Sequence, residues 1–285
     1  MKFKPEVTSL ITAQTRIASL PEVVMRLEQT LDDPRADFTD FARIISEDSA
    51  LSARLLRIVN SSMYQLPRRI DSIAQAITVI GTRQLHALVQ ATSIVRLFQG
   101  FEELGVDMEQ FWRHSIAVGI VARAIATQRR CGNVEHFYVL GLLHDVGRLV
   151  LYLERPQAMS QALELACSSD MRLVQAEQSV LGFHHAEVGG ALIQGWKLPE
   201  SLIEPVTYHH DPEAARSFSE EAAVVHLADL IAHAMELGSS GEPAVPTLDE
   251  AAWQRLRLRV SDLEPIVTHV DQQYRQAVDL FLPGG

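Results

Sequence analysis

The chain has little of what usually betrays a function at first sight. Its two cysteines, Cys131 and Cys167, form no CxxC pair, which argues against a disulfide framework and a thiolate metal site. Basic residues are outnumbered, 25 Lys and Arg against 36 Asp and Glu, and the net charge of -11 argues against a broad grip on nucleic acid, which relies on basic surface to neutralise phosphates. The dense basic spot Arg68-Arg69 is too short to change that and reads as a solvated turn. No apolar run approaches the roughly 20 residues needed to span a bilayer. The N-terminus MKFKPEVTSLITAQT lacks the apolar core of a signal peptide, so a cytoplasmic, reduced protein is expected. There is no GxSxG and no glycine-rich phosphate loop. The three tryptophans, Trp112, Trp196 and Trp253, read as core anchors.

Sustained alternation of the kind that marks half-buried strands is also missing, while apolar residues recur at helical spacing almost throughout. The expected fold is therefore all-α. With 285 residues and 47% hydrophobic composition, the chain can bury a sizeable core. Pro21 opens a helix that ends at Asp32-Asp33-Pro34, Asp48 caps another, and a third stops at Gly81, after which Thr82 is expected to cap its successor. The segment 99–107, QGFEELGVD, carries two glycines and three acids between apolar runs and marks a subdomain boundary. The expected organisation is two packed helical subdomains: an N-terminal bundle over 1–98, a second helical unit over 99–237, and a loop with C-terminal helices over 238–285. Residues 245–285 either cap the fold or make a homodimer contact.

The doublet His144-Asp145 in GLLHDVGRLVL is the chemically richest feature. It is expected near the middle of a very apolar helix, flanked by Leu140, Leu142, Leu143, Val146, Leu149 and Val150, where an uncompensated carboxylate is costly to bury. A metal ion would satisfy it, and histidines and carboxylates from neighbouring helices are how bundles build metal centres in their cores. The bland alternative is that Asp145 and Asp229 are satisfied by nearby Arg, His or backbone N–H groups. His86, His136, His226, His233 and His269 read as ordinary core or surface residues, with His226 and His233 flanking Asp229 at helical spacing.

His114, His144-Asp145 and Asp229 occur in the order H…HD…D, which resembles the HD superfamily of metal-dependent phosphohydrolases. That resemblance implies that these four residues bind a metal which activates water against a phosphoester. The stretches LPEVVMRLEQTLDD, ARIISEDSALSARLLRIVNSSMYQLPRRIDSIAQAITVIG, GLLHDVGRLVL and LGFHHAEVGGALIQGWKLPESLIEPVTYHHDP are more closely similar to the HDOD domain family, from about residue 19 to 235. HDOD proteins are bacterial signalling and regulatory modules, often fused to or acting beside response regulators and cyclic-dinucleotide enzymes. Comparison with the related HD-GYP phosphodiesterases adds His185, His209 and His210 as further metal ligands. Three departures count against cyclic di-GMP hydrolysis: Gln110 replaces a glutamate, Arg148 replaces a lysine, and DPEAARSFSE follows His210 where the GYP segment would be. His184 is expected beside the ligands or on the surface.

The resulting expectation is a signalling module with an HD-type metal site, acting through a protein partner or a nucleotide or other phosphate-containing ligand. The alternative is a metal-dependent phosphohydrolase in which Arg148 contacts the substrate phosphate. Nitrogen and oxygen ligands suit one or two divalent ions of iron, manganese, zinc, cobalt or nickel. Neither membrane association nor direct nucleic-acid binding is expected.

Overall fold

The structure, a computed structural model, describes residues 1–11, 20–98, 107–242 and 245–282. Among them there are helices and no strands. After the short α1 (Pro5–Thr8), the N-terminal half consists of α2 (Glu22–Asp32), α3 (Phe38–Ser46), α4 (Ser49–Val59), α5 (Ile73–Ile80) and α6 (Thr82–Leu97). The second half holds α7 (Met108–Gln128), α8 (Val134–Leu143), α9 (Val146–Glu154), α10 (Pro156–Ser169), α11 (Leu173–Leu181), α12 (His185–Gly195), α13 (Glu200–Tyr208) and α14 (Ser219–Ala234). Two further helices, α15 (Glu250–Leu256) and α16 (Leu263–Phe281), follow. The expected connection falls mostly on 99–106, outside the described residues.

Local chemistry explains several helix starts. The side chains of Asp37, Asp48, Ser72, Asp107 and Asn133 each accept from a backbone N–H in the first turn of α3, α4, α5, α7 and α8. Thr82 departs from expectation. Gly81, at φ 90°, both ends α5 and precedes α6, so Thr82 is already the first helical residue and makes no cap.

One apolar core runs from Val7 to Phe281. It joins the two halves, because α6 packs on α8 while α16 packs on both α7 and α4. Trp112 and Trp196 belong to this core and Trp253 packs against it. No described helix is long and apolar enough to cross a membrane.

Two glycines set the distances that matter for the candidate site. A Cβ on Gly141 of α8 would lie 2.6 Å from the Gly119 nitrogen of α7, so these helices touch backbone to backbone. A Cβ on Gly147 of α9 would lie 2.0 Å from the His185 carbonyl and 2.5 Å from the Gly189 nitrogen of α12. The first approach brings His114 to His144, and the second brings Asp145 to His185.

Candidate metal centre

His144 and Asp145 do not lie within a helix. α8 ends at Leu143 and α9 begins at Val146, with His144 at φ -53° and Asp145 at φ -101°, ψ 7° between them. Both side chains are buried, and His144 Nε2 lies 3.3 Å from Asp145 Oδ2. His114 comes from α7, His185 from the start of α12, His209 and His210 from just beyond α13, and Asp229 from α14.

All seven predicted ligands meet in two sets. His114, His144 and Asp229 form one, and Asp145, His185, His209 and His210 the other, the ligand atoms of each lying within 4.8 Å of one another. His114 Nε2 is 3.0 Å from Asp229 Oδ1, and His144 Nε2 is 3.6 Å from the same oxygen. Asp145 stands between the sets: its Oδ2 is 3.3 Å from His144 Nε2, while its Oδ1 is 3.0 Å from His185 Nε2 and 3.9 Å from His209 Nε2. Donors about 2.1 Å from one ion and at right angles to each other are about 3.0 Å apart. The His114/Asp229 and His185/Asp145 spacings match that value.

Hydrogen bonds behind the rings fix which nitrogen faces inward. His144 Nδ1 donates to the Gly141 carbonyl at 2.7 Å, and His209 Nδ1 donates to the Val206 carbonyl at 2.8 Å. His185 Nδ1 donates to Glu177 Oε2 at 2.6 Å, and this charge-assisted contact outweighs the 3.3 Å approach of Arg148 Nε to the same nitrogen. Each ring therefore turns its Nε2 toward the centre as metal-binding histidines do. His144 Nε2, Asp145 Oδ1 and His209 Nε2 are buried with no hydrogen-bond partner. Orphaned acceptors converging in a buried space are costly unless a cation satisfies them, so the residues present fit a metal ion.

Without that cation, protons and Arg148 carry the balancing charge. Burial alone would lower the pKa of His144, but the Asp145 and Asp229 carboxylates override it and push it up to about 10. Burial dominates at His114, which falls to about 4, and it drives His209 and His210 well below the usual imidazole range. Burial would raise Asp145, yet the Arg148 guanidinium and the His144 and His185 rings hold it well below the usual carboxylate range.

Arg148 is 1% exposed. Its Nη1 lies 3.1 Å from Asp145 Oδ2 and donates to Ser240 Oγ at 2.5 Å and to the Ser240 carbonyl at 3.1 Å. Glu177 lies 3.8 Å and Glu242 4.0 Å from other nitrogens of the same group. The loop-like stretch after α14 thus lies across the centre. Ser239 N donates to the Gln110 carbonyl, a Cβ on Gly238 would meet the His114 nitrogen at 2.3 Å, and Glu242 accepts from the Leu173 N–H.

Several participants had no clear signal in the sequence. Glu177 reaches His185 from α11, and His233, set aside as ordinary, places Nδ1 2.9 Å from Asp229 Oδ1. Only the i,i+4 spacing of Asp229 and His233 hinted at the latter. His226 is satisfied, donating to the His209 carbonyl and accepting from Asp249 N. His184 is half-buried and close to Glu187, outside both sets. Gln110 is exposed. Surface clefts of about 710 and 590 Å³ open on the N-terminal half, the first lined by Arg57, Arg68 and Arg69, and neither holds a predicted ligand.

Comparison with known proteins places the chain in a family. The family model for the HDOD domain matches residues 17–212. The crystal structure of an HDOD domain protein of unknown function from Geobacter sulfurreducens is 31% identical, with a TM-score of 0.75 over 92% of this chain and 93% of that one. A protein from Shewanella amazonensis SB2B, 23% identical with a TM-score of 0.72, shares the fold over 97% of this chain and 95% of its own. An uncharacterized protein of Treponema pallidum (strain Nichols) is 26% identical over 218 residues, 75% of this chain, which spans 42% of that relative's length. With more than half of its length matched by the family model and a solved relative covered almost end to end, the chain belongs to the HDOD domain family.

Proposed function

We propose that this chain is a regulatory signalling module whose buried centre holds one or two divalent transition-metal ions. His114, His144 and Asp229 would bind one ion, and His185 and His209 the other, with Asp145 offering one oxygen to each. His210 stands at the outer edge of the second set. The observation that carries this reading is the convergence of three buried, unpartnered acceptors, His144 Nε2, Asp145 Oδ1 and His209 Nε2. Such a bound ion would polarise a coordinated ligand and lower the pKa of a coordinated water.

Regulation is favoured over turnover by the covering of the centre. Ser240 is 0% exposed against Arg148, and His144, His185 and His209 are likewise 0% exposed. A hydrolase needs substrate to reach its metal, and here Ser240 of segment 238–242 packs on Arg148 beside the centre. Arg148, which satisfies acceptors on every side, serves in this reading as the clamp between Asp145 and that segment. Metal analysis of the purified chain, followed by a panel of phosphoesters with Asp145→Ala as control, tests it. Metal uptake lost in the variant, with no turnover on any ester, is expected. Absence of metal would remove the centre from the account, and turnover that Asp145→Ala abolishes would replace regulation with phosphoester hydrolysis.

A further inference from the structure

Charge is unevenly spread along this acidic chain. From Ser49 to Phe98 there are six arginines, Arg54, Arg57, Arg68, Arg69, Arg83 and Arg96, and a single acid, Asp71, although acids outnumber bases 36 to 25 over the whole length. Arg57, Arg68 and Arg69 line the cleft of about 710 Å³ formed by α4 and the connection that follows it. A second cleft, of about 510 Å³, adjoins the first and shares Leu66, Arg68, Arg69 and Ile70 with it. Its wall is mostly apolar and includes Pro67, Ala74 and the exposed Val79.

The turn carrying Arg68-Arg69 is fastened in place. Asn60 Nδ2 donates to the Ile70 carbonyl at 2.8 Å, and Asn60 Oδ1 accepts from the Ile70 N–H at 2.7 Å, so the residue after the arginine pair is tied to the end of α4. A surface ordered in advance binds at a lower entropic cost. Its positive charge is also unmatched. Among the described residues no carboxylate pairs with Arg57 or Arg68, and Arg69 meets only Asp71, at 3.5 Å with both side chains largely exposed, a contact worth little. Arg54 Nη1, one turn before Arg57 on α4, is buried with no hydrogen-bond partner. Burial, with Arg96 and Arg57 nearby, lowers the pKa of Arg54.

Unpaired guanidinium groups suit carboxylates, which they bind through two parallel hydrogen bonds, and the adjoining apolar wall suits aliphatic side chains. Nucleic acid would ask for a more extended basic surface. A membrane would ask for apolar side chains that protrude into lipid, whereas these line a cleft. A second copy of this chain would have to bring a different, acidic surface, a head-to-tail contact instead of the self-matching one of ordinary dimers.

We infer that this face of the N-terminal half docks an acidic segment of a partner protein, with carboxylates on Arg57, Arg68 and Arg69 and an aliphatic side chain in the cleft beside Val79. The surface is separate from the metal centre and does not depend on it.

The test is fluorescence anisotropy of the full chain with a short labelled peptide of glutamate pairs alternating with single leucines. Arg68→Glu with Arg69→Glu should weaken binding about ten- to hundredfold, as expected for lost hydrogen bonds between charged groups, and Arg57→Glu should act in the same direction. Arg255→Glu, an exposed charge reversal on α15, should leave affinity within about twofold. Peptides with glutamine for glutamate, or serine for leucine, should each bind more weakly, and circular dichroism should show every variant folded. A wild type that does not bind the peptide, or one that binds the glutamine peptide equally, would overturn the inference, as would unchanged affinity in the double variant. Binding to phosphatidylglycerol vesicles in place of the peptide, lost in the double variant, would make the face a membrane contact. Self-association in sedimentation equilibrium that the double variant abolishes would make it a contact between copies.

Discussion

Replacing Asp145 by Asn removes one charge and almost no volume at the point where the two ligand sets meet. In the metal-free protein the Asp145 carboxylate balances Arg148 at 3.1 Å and the rings of His144 and His185 at 3.3 and 3.0 Å. Removing one partner of a buried ion pair costs about 3–5 kcal/mol. Arg148 keeps Glu177 and Glu242 at 3.8 and 4.0 Å, which places the cost near the lower end, about 3 kcal/mol. Unfolding entropy of about 2.1 cal/mol/K per residue gives roughly 0.6 kcal/mol/K for 285 residues. The metal-free variant should therefore unfold about 5 °C below wild type. Added Mn²⁺ at a hundred times its Kd should raise wild type by about 2.7 kcal/mol, or roughly 4–5 °C, and Asp145→Asn not at all. The assay is thermal unfolding followed by circular dichroism, in chelator and in Mn²⁺. Equal metal-induced shifts in the two proteins would refute the bridging role of Asp145.

Further outcomes follow from the same geometry. In chelator, His144 has a folded pKa near 10 against about 6.5 unfolded, so its contribution to stability is complete below about pH 6.5 and is lost as pH rises through 10. Urea midpoints of the metal-free protein should fall between pH 7 and 10, and a flat or rising profile would contradict the protonated His144. Glu177→Gln should weaken metal binding about 10- to 100-fold by loosening the His185 ring, measured by competition with a chromogenic chelator. Gly147→Ala places a Cβ 2.0 Å from the His185 carbonyl, where only backbone could give way, and should cost about 3 kcal/mol or more in urea unfolding.

The all-α character and some helix starts, such as the one at Asp48, were legible in the sequence because caps and apolar periodicity are local signals. The seven candidate ligands were legible through the order and residue types of the resemblance, and the fold brings them together. The break at His144-Asp145 was not, since Leu140, Leu142, Val146 and Leu149 keep an apolar pattern through it and nothing local marks the turn. Glu177, Ser240 and Glu242 were missed for another reason. Their partners, His185 and Arg148, lie on other elements, and periodicity carries no record of pairing between distant segments. The loop expected from residue 238 onward carries no local sign of a contact with the centre. Ser240 instead packs its hydroxyl and carbonyl onto the buried Arg148.

The central claim is that the converging acceptors of His144, Asp145 and His209 hold a metal. Elemental analysis of the purified chain after reconstitution with Fe, Mn, Zn, Co or Ni and removal of excess tests it most directly. One or two ions per chain are expected in the wild type, with a loss in Asp145→Ala and in His144→Ala. Less than a tenth of an ion per chain with every metal, or equal retention in both variants, would contradict it.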